Sequence, residues 1–383
     1  VNGEPDDVAV VGAGIVGLSL AYELACLGAS VTVVDAGHPG RATDAGAGIL
    51  SPATSVEPDP ELWPFLRQAG VHYPSLLRRL GDDGATGAGG CYGVCGVLSL
   101  VLHANENEWF APFAEMALRR APGEVAEISP GDASRLFPPL GRVHRVVHAP
   151  GAARVDGRGM ASALRQGAVA RGVTFVIGAV TQLVDAAGAD GRRQVTSLRT
   201  AEGDVVRCGA VAVAGGAWSA ALGEWLGCKL PVGPTKGQIV HVGVEAETLD
   251  WPIVQPLLTH YLVPWPGGRV ACGGTFETGA GYSTAVTAAG LSELLREGLT
   301  VAPGLATATY LETRVGLRPT SVDDRALVGL VPGWSNAWVA TGHGANGLLQ
   351  GPYSGRVLAS AIGGLDVADE VPLPAAFDPG RFG

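Results

Sequence analysis

Residues 8–35 read VAVVGAGIVGLSLAYELACLGASVTVVD. Val8–Val11 is a short apolar run that fits a fully buried strand. Gly12-Ala13-Gly14-Ile15-Val16-Gly17 follows at once. An apolar helical stretch, Leu18–Leu27, is closed by Gly28. Ser30–Val34 is a second strand, and it ends at Asp35. Strand, helix and strand in so short a span predict a parallel sheet covered by helices.

The glycines of this unit do different things. Gly12 allows the tight turn, Gly14 lets the backbone approach a pyrophosphate, and Gly17 lets the helix pack on the strand. The helix start offers free N–H groups and a positive dipole end to phosphates. Asp35 sits at a strand end, where a carboxylate accepts ribose hydroxyls and repels a 2′-phosphate. A purely structural glycine turn is the alternative. The two strands and the terminal acid favour a bound dinucleotide.

The next segment is Gly40-Arg41-Ala42-Thr43-Asp44-Ala45-Gly46-Ala47-Gly48-Ile49-Leu50. Its small residues let main chain lie along a flat ligand, and Thr43 can donate to a phosphate. An ordinary surface loop is the bland reading. Ala47–Leu50 is too small and apolar for solvent, which favours burial against something.

The chain has 383 residues, enough for two domains or three. Apolar residues make up 47% and charged residues 16%, which excludes a disordered or coiled-coil chain. The net charge of −10 without basic runs argues against nucleic acid and anionic membranes as partners. Six cysteines at 26, 91, 95, 208, 228 and 272 read as free thiols rather than a disulfide framework. Cys91 and Cys95 have no second cluster to complete a metal site, so no metal is expected. Val8–Val34 imitates a membrane span, but Asp6 and Asp7 precede it, glycines interrupt it and Glu23 lies inside it. A soluble, cytoplasmic protein is expected.

Farther on, Glu61–Leu80 and Glu108–Arg120 read as helices, with a glycine-dense link over Gly84–Gly96 and a strand at Val97–Leu102. Gly159–Arg171 reads as a helix, and Thr174–Ile177 and Val205–Ala214 as strands. From Lys229 to Tyr310, short strands such as Gln238–Val242, Tyr261–Pro264 and Arg269–Gly273 alternate with turns, which implies an antiparallel sheet. Ala337–Thr341 is a last strand, followed by Gly342–Gly347 and a helix to Ile362. This second GxGxxG has no strand with a terminal acid after it, since Asp366 sits in a Gly/Pro-flanked tail.

The expected fold is an α/β Rossmann-type dinucleotide domain with a second α+β substrate domain holding a mixed, largely antiparallel sheet. Residues 1–84, 150–228 and 312–383 are assigned to the first, and 85–149 and 229–311 to the second.

The GxGxxG, the acid closing strand two and G-R-x-T-x-x-x-A-G-x-L together resemble the FAD-dependent D-amino-acid oxidase superfamily, and within it the glycine oxidases. The resemblance continues through Val211-Ala-Val-Ala-Gly-Gly-Ala-Trp-Ser219, Tyr261-Leu-Val-Pro264, Gly316-Leu-Arg-Pro319 and Gly342-His-Gly-Ala-Asn-Gly-Leu-Leu349. It implies non-covalent FAD. Matched by position, FAD meets Ile15, Val16, Asp35, Ala36, Arg41, Ala42, Thr43, Ala47, Gly48, Ile49 and Val180. It also meets His343, Gly344, Ala345, Asn346, Gly347, Leu348 and Leu349. The last loop would set N–H groups and a helix start against the flavin, where reduced flavin carries negative charge.

The same resemblance places Arg318 and Tyr261 on the carboxylate of an amino-acid-like substrate. Bidentate geometry suits the arginine; a structural carboxylate such as Asp323 or Asp324 is its alternative partner. His260 and His343 invite a role as base. Hydride transfer needs only a neutral amine, a fixed carboxylate and alignment. His260 is expected on the opposite sheet face from Tyr261. Glycine oxidases carry an arginine at the position of Ala345, and Gly344 is also small here. The implied activity is therefore oxidation of the Cα–N bond of glycine or, better, of an N-substituted glycine, with O2 reduced to peroxide. A D-amino-acid oxidase or dehydrogenase, or a non-catalytic dinucleotide-binding protein, are the alternatives.

Overall fold

The computed structural model describes residues 6–56, 59–188, 190–364 and 371–382, so Asp366 lies outside the described residues. Asp6–Val11 lies inside the first sheet, parallel to Val31–Asp35 on one side and to Val205–Val213 on the other. Thr174–Ile177 and Ala337–Thr341 extend the parallel set outward. Val180–Ala187, Arg193–Thr200 and Leu327–Leu330 add antiparallel partners.

The first helix runs Ile15–Cys26 and so begins before its expected apolar run. Gly17 falls in its first turn. A Cβ there would stand 2.0 Å from the Gly12 carbonyl oxygen, so only glycine lets the helix start this close to the strand. One face of the sheet packs on this helix and on Trp63–Asp82, Gly157–Ala170 and Gly347–Ile362, through residues such as Leu20, Phe65, Met160 and Tyr353. The other face packs Val211 and Val213 against Leu198, Leu226 and Trp334.

The second sheet runs, in spatial order, Thr309–Ser321, Val232–Gly243, Arg269–Gly273, Tyr261–Trp265, Ile253–Pro256, Val97–Val101, Arg145–Ala149 and Ala126–Ile128. Every pairing is antiparallel except Ile253–Pro256 with Val97–Val101. Helix Ala288–Val301 covers one face through Leu294 and Val301.

Thr309–Ser321 pairs with Val232–Gly243 along its whole length, from Ser321 opposite Val232 to Thr309 opposite Gly243. The expected domain cut at 311/312 therefore runs through a strand of the second sheet. Gly316 and Pro319 disguise that strand in the sequence, and a proline is tolerated because the strand is at the edge. Gly316 also brings the two sheets together. A Cβ there would stand 3.0 Å from Ala45 Cβ, and the Leu317 N–H donates to the Gly40 carbonyl at 2.8 Å. The expected glycine-dense link contains a short strand, Tyr92–Val94, which pairs with Ala153–Val155; that strand also pairs with Ile49–Leu50. All six cysteines are free thiols. Among the described residues, no helix is long and apolar enough to cross a membrane.

Candidate active site

The parallel strands of the first sheet end on one side, and the segments that follow Val11, Asp35, Val213 and Thr341 all line a single cavity of about 1020 Å³. Ligand pockets in open α/β sheets form at such strand ends. The volume is at the top of the ~300–1,000 Å³ range of small-molecule sites, enough for a dinucleotide with a substrate beside it. The cavity brings together Gly12, Gly14, Ile15, Val16, Asp35, Ala36, Arg41, Ala42, Thr43, Ala47, Gly48, Ile49, Val180 and His343 to Leu349. Tyr261 and Arg318 line it too. Gly17 does not, being used for helix packing.

Local sequence explains the shape of the turn. Gly12 has φ +110°, and a Cβ there would stand 2.4 Å from the Ala214 carbonyl oxygen. The Asp35 carboxylate accepts from the N–H groups of Ala13 at 2.6 Å and Gly37 at 2.8 Å, which fixes it beside the turn. Thr43 Oγ1 accepts from the Ile15 N–H at 3.0 Å, leaving its proton free to donate. The first turn of the helix carries no acidic residue of its own to offset the dipole. Gly48, with φ +77°, lies where a Cβ would stand 1.9 Å from the Val155 carbonyl oxygen.

Gly14 is different. A Cβ there would meet only Thr43 Oγ1, at an ordinary 3.5 Å. The fold itself therefore tolerates a side chain, and what is lost is cavity. Gly14→Val is expected to fold with a melting temperature near wild type yet purify colourless. A yellow Gly14→Val protein with normal flavin content would show that nothing passes close to this backbone.

In the second GxGxxG, Gly342 turns the chain at φ +75° and Gly347–Ile362 starts a helix, as the sequence implies. Tyr73 donates to the Leu348 carbonyl and braces the loop. His343 is buried, with Nε2 and Ser354 Oγ at 3.0 Å. Its Nδ1 has no partner among the described residues. Burial pushes its pKa down to about 4, so the ring is neutral near pH 7. Ala345 is exposed on the cavity wall.

Arg318 and Tyr261 come from different strands and converge. A Cβ on Gly274 would stand 3.0 Å from Tyr261 Oη and 3.1 Å from Arg318 Nη2. One on Gly237 would stand 2.2 Å from Arg318 Nη1. Gly237 lies inside a strand and Gly274 directly follows one, and both make room for the guanidinium; glycine in or at the end of a strand is the signal for such close approach. Arg318 Nη1 donates to the Thr275 carbonyl at 2.8 Å, and the Phe276 ring stacks 4.2 Å from its carbon. Burial pushes the Arg318 pKa down, opposed by Tyr261 and Glu277. Burial pushes the Tyr261 phenol up to about 12, against the pull of Arg318.

Asp323 is engaged by Arg381 at 2.9 Å. No carboxylate pairs with Arg318 among the described residues. The Thr275–Glu277 segment is itself anchored. Glu277 accepts from Lys236 Nζ at 3.0 Å, Gln238 Nε2 at 2.6 Å and Thr275 Oγ1 at 2.7 Å. Lys236 is only 2% exposed and braces the arginine's support through Glu277. His260 pairs with Glu293 at 2.9 Å on the helix that covers the far face of the sheet, away from the cavity.

The sequence matches the family described as FAD dependent oxidoreductase (DAO) over residues 7–361. It is 36% identical over 357 residues to the uncharacterized oxidoreductase YurR of Bacillus subtilis, covering 92% of this chain and 94% of that one. It is 32% identical over 376 residues to a glycine oxidase of Pseudomonas aeruginosa, covering 96% and 98%. The crystal structure of iminodiacetate oxidase from Chelativorans sp. BNC1 superposes with a TM-score of 0.87 at 37% identity, covering 97% of this chain and 98% of that one. Glycine oxidase from Geobacillus kaustophilus superposes with a TM-score of 0.87 at 26% identity, covering 99% of both.

Proposed function

This chain belongs to the FAD dependent oxidoreductase family, and we propose that it oxidises the Cα–N bond of an N-substituted glycine. It is an FAD-dependent oxidoreductase of the glycine oxidase and iminodiacetate oxidase type. The residues present fit FAD. Gly14 leaves the pyrophosphate path open, Asp35 is fixed at a strand end, and the Nδ1 of buried His343 lacks a partner on the cavity wall.

When bound, FAD supplies the two-electron acceptor for this oxidation, with O2 as the final oxidant. Arg318 and Tyr261 hold the substrate carboxylate. The guanidinium presents Nη2 while Nη1 is tied to Thr275, so the carboxylate docks in a fixed direction and the carbon–nitrogen bond is aligned. No base is required of the protein if the amine arrives neutral. His343, neutral and held by Ser354, keeps the loop in place without taking a proton. The imine product hydrolyses to glyoxylate and an amine.

The observation that carries the N-substituted substrate is Ala345. It lies on the cavity wall where the glycine oxidases it resembles carry an arginine, so volume is open and a cation is absent. Iminodiacetate, which one relative is named for, is itself a glycine with a substituent on nitrogen. A remote substituent filling such volume supplies alignment at the reacting carbon. At about 0.8 kcal/mol per buried methylene, four methylenes favour the larger substrate by about 3 kcal/mol, over a hundredfold.

An anaerobic screen of glycine, sarcosine, longer N-substituted glycines and D-amino acids for flavin bleaching tests the reading. The N-substituted glycines should bleach fastest. Ala345→Arg should shift the order of kcat/KM toward glycine and sarcosine with flavin content unchanged. A wild type that prefers glycine over every N-substituted analogue would sink the reading.

A further inference from the structure

The row of the second sheet that carries Tyr261 continues beyond it. Val254 pairs with Leu262, which sets Gln255 opposite Tyr261 on the neighbouring antiparallel strand. Residues opposite each other on such strands project to the same face, with Cβ atoms about 4.5–5.5 Å apart. Ser99 is the partner of Gln255 on the next strand, in parallel register. Gln255, Tyr261 and Ile239 all line the cavity.

Gln255 stands out on this wall because its amide is unused. Its Oε1 is buried and has no partner among the described residues, and the buried hydroxyl of Ser99 is likewise unpaired. Among the described residues no hydrogen bond ties the Gln255 amide, whereas Gln238 in the same sheet is fully engaged by Glu277 and Thr287. A buried amide without a partner weakens a fold unless a ligand or water completes it. Arg318 lies on the other side of Tyr261 from Gln255 in the strand order. A carboxylate held between Arg318 and Tyr261 therefore leaves Gln255 facing a different part of the substrate.

We propose that Gln255 is a specificity-determining residue that hydrogen-bonds a polar terminus on the nitrogen substituent, of the carboxylate or carboxamide class. The assignment rests on the N-substituted glycine reading above and narrows it. The amide donates through Nε2 to the terminal oxygen, which orients Oε1 to accept the Ser99 hydroxyl, itself unpaired on the neighbouring strand. A site built to hydrogen-bond a group rejects an analogue of equal size that lacks it, because the site's own polar atoms are then stranded. The preferred substrate is thus one whose substituent is extended and also polar at its end.

The test compares kcat/KM for iminodiacetate and N-isobutylglycine, whose substituents have the same shape but differ in polarity, with sarcosine as the short control. Wild type should prefer iminodiacetate over N-isobutylglycine by about tenfold or more. Gln255→Leu should lose about 10- to 100-fold on iminodiacetate, gain on N-isobutylglycine and leave sarcosine within about threefold. Gln255→Glu places a like charge against the terminal carboxylate. It should lose at least as much on iminodiacetate and favour N-(2-aminoethyl)glycine. Flavin content and melting temperature are measured for both variants, and the glutamate variant carries the comparison if the leucine variant does not fold. If wild type oxidises none of these N-substituted glycines, the underlying reading fails. If it oxidises them and both variants leave the ratios unchanged, or lower sarcosine equally, the assignment of Gln255 is overturned.

Discussion

Arg318→Ala should retain FAD and lose about 30- to 5,000-fold in kcat/KM, the equivalent of about 2–5 kcal/mol for truncating one side of a buried charged pair. The structure shows why the loss falls on substrate rather than on the fold. The guanidinium is held by the Thr275 carbonyl, the Phe276 face and the neighbouring Tyr261 hydroxyl, with no carboxylate among the described residues paired to it. A half-buried cation kept without a paired counter-ion adds little to the stability of the resting protein. The variant's melting temperature without substrate should therefore stay level while activity collapses. Arg318→Lys should also be poor, because an ammonium cannot bond Thr275 and a carboxylate with the same planar fork. Measuring kcat/KM and flavin content together checks this. Near-normal turnover in the alanine variant would mean that the arginine is structural.

The largest effect on stability is expected at Glu23. This residue is 2% exposed on the first helix, among neighbours from two other helices. Arg79 Nη2 reaches its Oε1 at 2.5 Å, Arg356 Nη1 its Oε2 at 3.1 Å, and His72 Nε2 stands 3.6 Å away. Burial alone would raise the carboxyl's pKa. The contacts from His72 and Arg79 outweigh it and hold the value at about 2, against an ordinary 4.5. A carboxylate depressed on folding stabilises the native state fully above pH 4.5, and that contribution disappears as pH falls toward 2. Its size is on the order of 3 kcal/mol. Glu23→Ala should cost about 3–5 kcal/mol near pH 7, because two guanidinium groups are left without their shared partner. Denaturant titrations of both proteins between pH 3 and pH 7 should show the gap closing toward acid. A gap that stays constant across that range would place the loss in packing rather than charge.

The part of the candidate site proposed for the cofactor has signals that are mostly local. Gly12, Gly14, Gly17 and Asp35 lie within one strand–helix–strand unit, and the backbone geometry that each requires is set by its immediate neighbours. The loop from Gly40 to Leu50 was legible for a similar reason: small apolar residues that solvent would not favour must pack on something. The strand, glycine turn and helix around His343 to Leu349 were legible too, but their use against the flavin came only from the motif resemblance. The substrate half was legible only through motif resemblance. Arg318 lies in a stretch whose Gly316 and Pro319 disguise a strand, and an isolated tyrosine such as Tyr261 reads as core.

By itself, then, the sequence determined the parallel unit, the dinucleotide turn and the antiparallel character of residues 229–310. All of these are properties of residues close together in the chain. The tertiary structure decided that Thr309–Ser321 pairs along Val232–Gly243, which lays the Arg318 fork over Gly237 and against Gly274. It decided that Lys236 and Glu277 brace that fork, that Glu23 collects charges from two other helices, and that Gln255, whose Oε1 has no partner among the described residues, stands beside Tyr261. Each depends on strand register or helix packing between segments distant in sequence. Local pattern does not encode which distant backbone will arrive opposite; the burial of whole sheet and helix faces does.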